Sequence, residues 1–415
     1  MTPDAELGGY AEVRGSYQVG VDGTPWEIVE RVRPTFEIAP AERITATATV
    51  EASLAQGRVL EDELVETLYA NETPVELLGG VPLGEVLQDP SYCTDLREPR
   101  YDEIGDYLSV ERLHVDFNLP VADITVGRQA IAWGSGLVYH PTDLFAEVVA
   151  TEPWRERRGV DAVKVDVPLA DHSLVVLGAI DDDLSPLYAD EPEPPGVAGA
   201  MKFTLRELGT DWSAIARAGT DGDWFVGGDL RGTLGVGWWV EGGWHGEDEA
   251  PEVVAGVDYS FPVLQMFYVA AEYRYDGTGS RPEDYDFTQR GGFGSMPLSC
   301  AGLGDTTDVG GGDRTTLGIH YVDAIVNVGV TEDFGVTVVG IANVLDGTGM
   351  LVPDANVKIG QRIAVHAGAQ IPFGEDGEFR PAKEDLTLVI PNVADIDLSG
   401  LLPDATALAW VRYSF

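Results

Sequence analysis

Histidine, cysteine and clustered carboxylate are the side chains best able to do chemistry, and their spacing in this chain is poor for it. The six histidines (His114, His140, His172, His245, His320 and His366) are scattered. Only His114 near Asp116 and His320 near Asp323 have a carboxylate close by, as a local acid–base pair would need. No Gly-x-Ser-x-Gly, Walker or zinc spacing occurs. Asp181-Asp182-Asp183 and the stretch Asp305–Asp313 offer the several oxygens a calcium ion wants, yet they read first as solvated loops. Cys93 and Cys300 are the two cysteines. Both fall in large insertions, where an exposed pair predicts a disulfide rather than thiol chemistry. The expectation is a protein that is not an enzyme, with no metal site and no cofactor.

Charge narrows the function classes further. Lys and Arg number 26 against 70 Asp and Glu, a formal charge of -44. Nucleic acid needs a basic surface, so it is excluded as a partner. The acids concentrate in insertions: Glu61 to Asp106, Asp181–Glu193 and Glu247–Glu252. Many bases sit instead in stretches of alternating polarity, among them Arg31, Arg33, Arg112, Arg128, Lys164, Arg362 and Arg412.

Those alternating stretches are the elements that must position the charges. The last ten residues place Ala407, Ala409, Val411, Tyr413 and Phe415 on one side of an extended strand. Leu408, Trp410 and Arg412 fall on the other. Ile44–Leu54 alternates in the same way. So does 362–373, with Ile363, Val365, Ala367, Ala369, Ile371 and Phe373 on the apolar side. About eighteen such strands (16 to 18) can be counted over a single domain, 1–415. Their connections alternate between tight turns, as at Leu119-Pro120-Val121, Arg231-Gly232 and Gly360-Gln361, and longer ones on the other edge. The longest are 57–106, 134–158, 276–314 and 374–404. No run of eighteen apolar residues exists, so a helical span is excluded. An all-β, antiparallel up-and-down transmembrane β-barrel is predicted, because apolar-out, polar-in strands of about ten residues are what such a barrel requires. On its lipid face an Arg at mid-depth costs about 2–4 kcal/mol. The strand bases are therefore expected to line the pore: Arg31, Arg33, Arg112, Arg128, Lys164, Arg362 and Arg412, with Asp166 and His366.

The closing strand with its final Phe415 resembles the end of Gram-negative outer-membrane β-barrels. A second segment strengthens the likeness. Val126-Gly127-Arg128-Gln129 leads through Trp133-Gly134-Ser135-Gly136 and His140-Pro141-Thr142-Asp143 to Arg158-Gly159-Val160-Asp161. It resembles large barrels of the porin and alginate-export type. That resemblance implies short periplasmic turns, long acidic extracellular loops, and Asp143 on a loop folded into the pore. It implies an outer-membrane channel for polar or charged solutes, or the exit for a secreted polysaccharide. It implies as partners outer-membrane lipid and lipopolysaccharide, periplasmic export components, and assembly machinery acting on the strand that ends in Phe415. A barrel serving as a sleeve for an electron-transfer cytochrome is the alternative outside transport. Met1 leads directly into Thr-Pro-Asp-Ala-Glu without a basic and apolar leader, so export requires that a signal peptide be already removed.

Overall fold

A backbone crossing hydrocarbon finds no water for its N–H and C=O groups, so a sheet in that setting must close on itself. The computed structural model shows such closure. It describes residues 4–20, 26–57, 76–77, 81–82, 108–145, 156–157, 159–180, 196–220, 222–246, 250–285, 316–382, 387–390, 394–397 and 403–415. Eighteen strands form one antiparallel sheet: β1 Asp4–Val19, β2 Trp26–Ala41, β3 Ile44–Gly57, β4 Leu108–Asn118, β5 Asp123–Gln129, β6 Val160–Leu169, β7 His172–Ile180, β8 Val197–Glu207 and β9 Thr210–Gly219. The second half continues with β10 Trp224–Thr233, β11 Gly237–His245, β12 Ala250–Phe261, β13 Met266–Asp276, β14 His320–Gly329, β15 Phe334–Asn343, β16 Gly349–Ile359, β17 Ile363–Phe373 and β18 Ala405–Ser414. Each strand pairs with its sequence neighbour. β18 then pairs with β1, from Tyr10↔Ser414 to Val19↔Ala405, and this last ladder leaves no free edge. No α-helix occurs among the described residues, and none is long and apolar enough to cross a membrane.

The alternation legible in the sequence becomes an inside and an outside. On β18, Leu408 and Trp410 are buried inward while Val411, Tyr413 and Phe415 are exposed outward. Val226, Val257 and Leu7 are more than half exposed on the same outer face. A continuous apolar belt of this kind has no place in water, where contiguous patches rarely exceed a few hundred Å². Aromatic residues border it. Tyr17, Trp26, Trp224, Trp244 and Tyr273 stand toward the long-loop edge, and Phe36, Trp212, Phe261, Phe334, Tyr413 and Phe415 toward the turn edge. Amphipathic rings of this kind mark the two interfaces of a transmembrane barrel.

The turns are tight where expected, with left-handed residues such as Leu208 and Gly209 (φ 56° and 74°) or Gly360 (φ 65°). One turn is corrected. Arg231 and Gly232 stay in the ladder opposite Trp239 and Trp238, and the chain reverses at 234–236. Gly232 is required by packing, since a Cβ there would lie 2.7 Å from the Trp238 ring. Two expected strands are also shorter. β5 ends at Gln129 rather than Trp133, and β14 starts at His320 rather than Thr315. In both cases the lost residues are used inside the barrel.

Placing an Arg at mid-height on the outer face tests the belt. Val257→Arg is expected to destabilise the folded barrel in lipid by about 2–4 kcal/mol. A denaturant titration in vesicles reads this out, and an unchanged midpoint would mean that the outer face does not meet hydrocarbon.

Candidate functional site

The inner wall on β10–β13 carries carboxylates at the inward phase of otherwise small or aromatic strands: Asp229, Glu241, Glu252 and Glu272, all buried. Burying ionised carboxylates is costly unless donors surround them. Here the donors come from the chain leaving β5. At Gly134 (φ 97°) that chain turns against Glu241, whose Oε1 would lie 2.5 Å from any added Cβ. Glu241 Oε2 accepts the amides of Ser135 (2.6 Å) and Gly136 (2.8 Å). Its Oε1 accepts the amide and hydroxyl of Thr142 (2.9 and 2.8 Å). Glu272 accepts the amides of Leu137 (2.6 Å) and Val138 (2.7 Å) and the Trp239 indole (2.8 Å). Ser135 Oγ donates to Asp229 (2.6 Å), which also pairs with Lys202 (3.0 Å), and Tyr139 donates to Glu252 (2.8 Å). Burial, then the negative charge of Glu252, holds the Tyr139 hydroxyl well above its ordinary pKa. The Arg274 guanidinium lies over both the Tyr139 ring (4.4 Å) and the Tyr321 ring (4.0 Å). Segment 131–143 is thus fastened to one wall of the lumen.

A second segment meets it. Val138 packs with Tyr321, Ile341 and Phe379. Glu378, fully buried, accepts the Leu317 amide (2.7 Å), Asn343 Nδ2 (2.8 Å) and the Tyr321 hydroxyl. Asp346 accepts the Glu378 amide (2.8 Å) and the Tyr285 hydroxyl (3.0 Å). Burial and the charges of Asp346 and Glu378 raise the Tyr285 pKa. The residues 316–319 that the sequence reading placed in β14 serve here.

The opposite wall, on β1–β4 and β18, holds the arginines. Arg31 pairs with Glu51 (3.1 Å) and Glu12 (3.9 Å). Arg33 pairs with Glu51 (3.1 Å) and Glu156 (3.3 Å). Arg412 pairs with Glu12 (2.7 Å) and lies over the Tyr10 ring (4.2 Å). Arg112 donates to the Arg157 carbonyl (2.6 Å), and Arg157 forms an ion pair with Asp143 at the base of the loop. Burial raises the Asp143 pKa, outweighing the opposing pull of Arg157. Around these groups five arginines (31, 33, 112, 157, 412) face five carboxylates (12, 51, 111, 156, 143), so the cluster is close to neutral.

Asp143 therefore lies on an inward-folded loop, and Arg31, Arg33, Arg112 and Arg412 on the inner face. Lys164 and Asp166 take the inward phase of β6, opposite Thr125 and Asp123. His366 bonds Asp354 (3.0 Å) and stacks on Trp410 at 4.4 Å, also inside. Two expected pore residues are elsewhere. Arg128 alternates with buried Gln129 and pairs with Asp161 (2.7 Å), itself between buried Val160 and Ala162, so both point outward. β5 holds its apolar set at Ile124 and Val126, and Arg128 continues that phase, which puts it outside. Arg362, in the turn before β17, reaches the outward Tyr413 hydroxyl (3.2 Å). Of the two acid–base candidates, His114 does meet Asp116 (3.5 Å), and Asp116 also accepts from the Thr125 hydroxyl (2.7 Å). His320 faces outward against Tyr273 (2.7 Å), while Asp323 is buried inward, cross-strand from Glu272. No metal-ligating group occurs among the described residues. Cys93, Cys300, Asp181-Asp182-Asp183 and Asp305–Asp313 lie outside them.

The wall carboxylates are hard to single out in the sequence because acids are far more crowded in the insertions. Their signal is a lone carboxylate at the inward phase of a strand rich in Gly and Trp, as in Gly237-Trp238-Trp239-Val240-Glu241-Gly242-Gly243.

Closed barrels of this size are the fold class of outer-membrane porin-type proteins, and structural comparison agrees. OpdK of Pseudomonas aeruginosa superposes with a TM-score of 0.53 at 8% identity, covering 99% of this chain and 98% of that one. OccK3 (OpdO) of the same organism gives 0.52 at 10%, covering 99% and 96%. Wzi of Escherichia coli, an outer-membrane protein involved in group 1 capsule assembly and a carbohydrate-binding β-barrel, gives 0.52 at 10%, covering 99% and 84%. No protein-family profile and no curated protein matches the chain in sequence. At these identities the likeness is one of fold.

Glu241→Ala leaves the amides of Ser135, Gly136 and Thr142 buried without their acceptor, about 1–3 kcal/mol for each unsatisfied group. The loop is expected to detach and single-channel conductance in a planar bilayer to rise. Unchanged conductance with an unchanged loop would contradict this. Because the Asp143 proton is held above the usual carboxylate range, acidification neutralises Asp143 early and loosens Arg157. Conductance is expected to shift at a higher pH than an ordinary exposed carboxylate would titrate, because burial raises the Asp143 pKa, and Asp143→Asn to abolish that shift.

Proposed function

We propose that this barrel is a porin-like channel of the outer membrane that passes small polar or charged solutes. The observation that carries this reading is the fastened segment 131–143 inside a closed eighteen-stranded wall. A barrel of this strand number is too wide for wall side chains alone to fill. A loop pinned by Glu241 and Glu272 narrows it without blocking the wall of paired arginines opposite. Ions and small hydrophilic molecules are matched by such a surface, because paired charges offer hydrogen bonds without binding one sign tightly.

Passage of a secreted polysaccharide is the second reading, supported by likeness to Wzi, which is described as carbohydrate-binding. A constriction fixed by this many buried hydrogen bonds favours small solutes over a polymer. The sleeve for an electron-transfer cytochrome needs an open bore, which segment 131–143 disfavours. In this reading the outer belt meets outer-membrane lipid and lipopolysaccharide. The exposed Phe415 at the turn edge is the feature that assembly machinery would engage. Periplasmic export components belong only to the polysaccharide reading.

Selectivity tests the proposal. The loops hold most of the acidic excess, and their field concentrates cations at the mouth within about 10 Å at 0.1 M salt. The reversal potential in a KCl gradient is expected to show modest cation selectivity, stronger at low salt. Anion selectivity at low salt would favour the polyanion exit, and absence of conductance would favour the sleeve.

A further inference from the structure

On the arginine wall the ladders set acid against base: Glu12 of β1 stands directly opposite Arg31 of β2 and Arg412 of β18. On β10–β14 they set acid against acid. Asp229 faces Glu241 across β10 and β11, Glu252 faces Asp276 across β12 and β13, and Glu272 faces Asp323 across β13 and β14. All six side chains are buried. Residues directly opposite on antiparallel strands have their Cβ atoms about 5 Å apart, so like charges there repel. The bases that meet these six are Lys202 on Asp229 (3.0 Å), His245 at 4.0 Å from Glu252, and Arg274. The patch therefore keeps an excess of negative charge inside the barrel.

Five of the six carboxylates have donors. Asp276 accepts the Thr278 amide and hydroxyl (2.9 and 2.6 Å), and segment 131–143 serves Asp229, Glu241, Glu252 and Glu272. Asp323 is the exception. It is 0% exposed, and neither of its carboxylate oxygens has a hydrogen-bond partner among the described residues. The charge of Arg274 reaches it, but that guanidinium lies over the Tyr139 and Tyr321 rings and donates no hydrogen bond to Asp323. Glu272, directly opposite, is not filled either. A carboxylate has about four lone-pair sites. Leu137 and Trp239 take those of Oε1, and Val138 takes one of Oε2. One site on Glu272 Oε2 and both oxygens of Asp323 remain, on facing residues of one ladder.

The geometry points to a calcium site between Asp323 and Glu272, with Asp323 as its principal ligand. A buried charge is paired or coordinates a metal, and oxygens alone suit a hard cation. The excess negative charge of the patch favours a divalent ion over a monovalent one. Calcium accepts irregular sets of oxygens and both oxygens of one carboxylate, whereas magnesium demands a near-ideal octahedron and keeps its water. Under a wall segment that leaves Asp323 no exposure, the ion that dehydrates more readily fits. No three His, Cys, Asp or Glu side chains converge among the described residues, so carbonyl or water oxygens complete the shell. Because Leu137 and Val138 hang on Glu272, calcium there also tightens segment 131–143 on the wall, whatever solute the barrel passes.

The full chain in detergent, stripped with a chelator, is titrated with calcium chloride by isothermal titration calorimetry. Acid-rich loops offer calcium other places, so wild type is compared with Asp323→Asn. The variant is expected to bind one calcium fewer per chain, and magnesium to bind at that site about tenfold more weakly than calcium or worse. Asp323→Asn removes the charge facing Glu272, so in chelator its Tm is expected to exceed that of wild type. In calcium the order is expected to reverse. Terbium, an oxygen-seeking ion of calcium-like size, tests the wild-type chain without relying on that variant. The Trp239 indole bonds Glu272 (2.8 Å), close enough to sensitise terbium emission. Tryptophan-excited emission is expected to fall as calcium is added, and most of it to be lost in Trp239→Phe. Far-ultraviolet circular dichroism confirms that each variant is a folded barrel. Equal calcium stoichiometry in wild type and Asp323→Asn would overturn the site, as would an order of Tm values indifferent to calcium. Terbium emission unchanged by Trp239→Phe, or magnesium bound as tightly as calcium, would overturn it as well.

Discussion

The backbone hydrogen bond between β1 and β18 is the interaction on which the rest depends. The ladder Tyr10↔Ser414 to Val19↔Ala405 joins the first strand to the last, and Phe415 donates to the Gly9 carbonyl beyond it. Without that ladder two strand edges would each present unpaired N–H and C=O groups to a medium without water. With it, the sheet has only an inside and an outside. Every other feature follows from which phase of the alternation a residue occupies.

That division explains why the interior is the place for carboxylates. Outside, an ionised group meets hydrocarbon. Inside, it meets water, other charges, or a piece of the chain's own backbone. Glu241 and Glu272 take the last option, and their partners are mostly main-chain amides. A loop entering a wet bore needs acceptors for the amides it cannot pair in a ladder. Carboxylates on the wall supply several at once, and the resulting charge-assisted bonds are stronger than neutral ones. The same logic applies at Glu378, which gathers the Leu317 amide, Asn343 and Tyr321. The acidic balance of the chain is therefore not confined to its loops. Part of it is structural, fixing what narrows the lumen.

The opposite wall shows the complementary arrangement. Arg31, Arg33 and Arg412 are close to one another because strands β18, β1 and β2 are neighbours only in the closed sheet. Glu12 and Glu51 stand between them and keep like charges from repelling. The inner wall therefore presents carboxylates holding main-chain amides on one side and paired guanidinium groups on the other.

The period-two alternation determined the fold by itself. Ile44–Leu54, 362–373 and the last ten residues each commit a face outward, and a one-residue slip would invert it. Strand number and the two kinds of connection came from the same signal. Position along a strand also settled most strand arginines, since the neighbours of Arg33 or Arg412 state their phase. Arg128 shows the limit. The phase of Ile124 and Val126 points it outward, whereas the cost of a charge against lipid argues for the lumen, and the register with Leu113 and Asp161 shows that the phase prevails. The fastening of segment 131–143 was decided by tertiary structure alone. Ser135 and Glu241 are 106 residues apart, and Leu137 and Glu272 are 135 apart. Closure brings them together. No local pattern encodes which buried carboxylate will meet which backbone amide across the lumen.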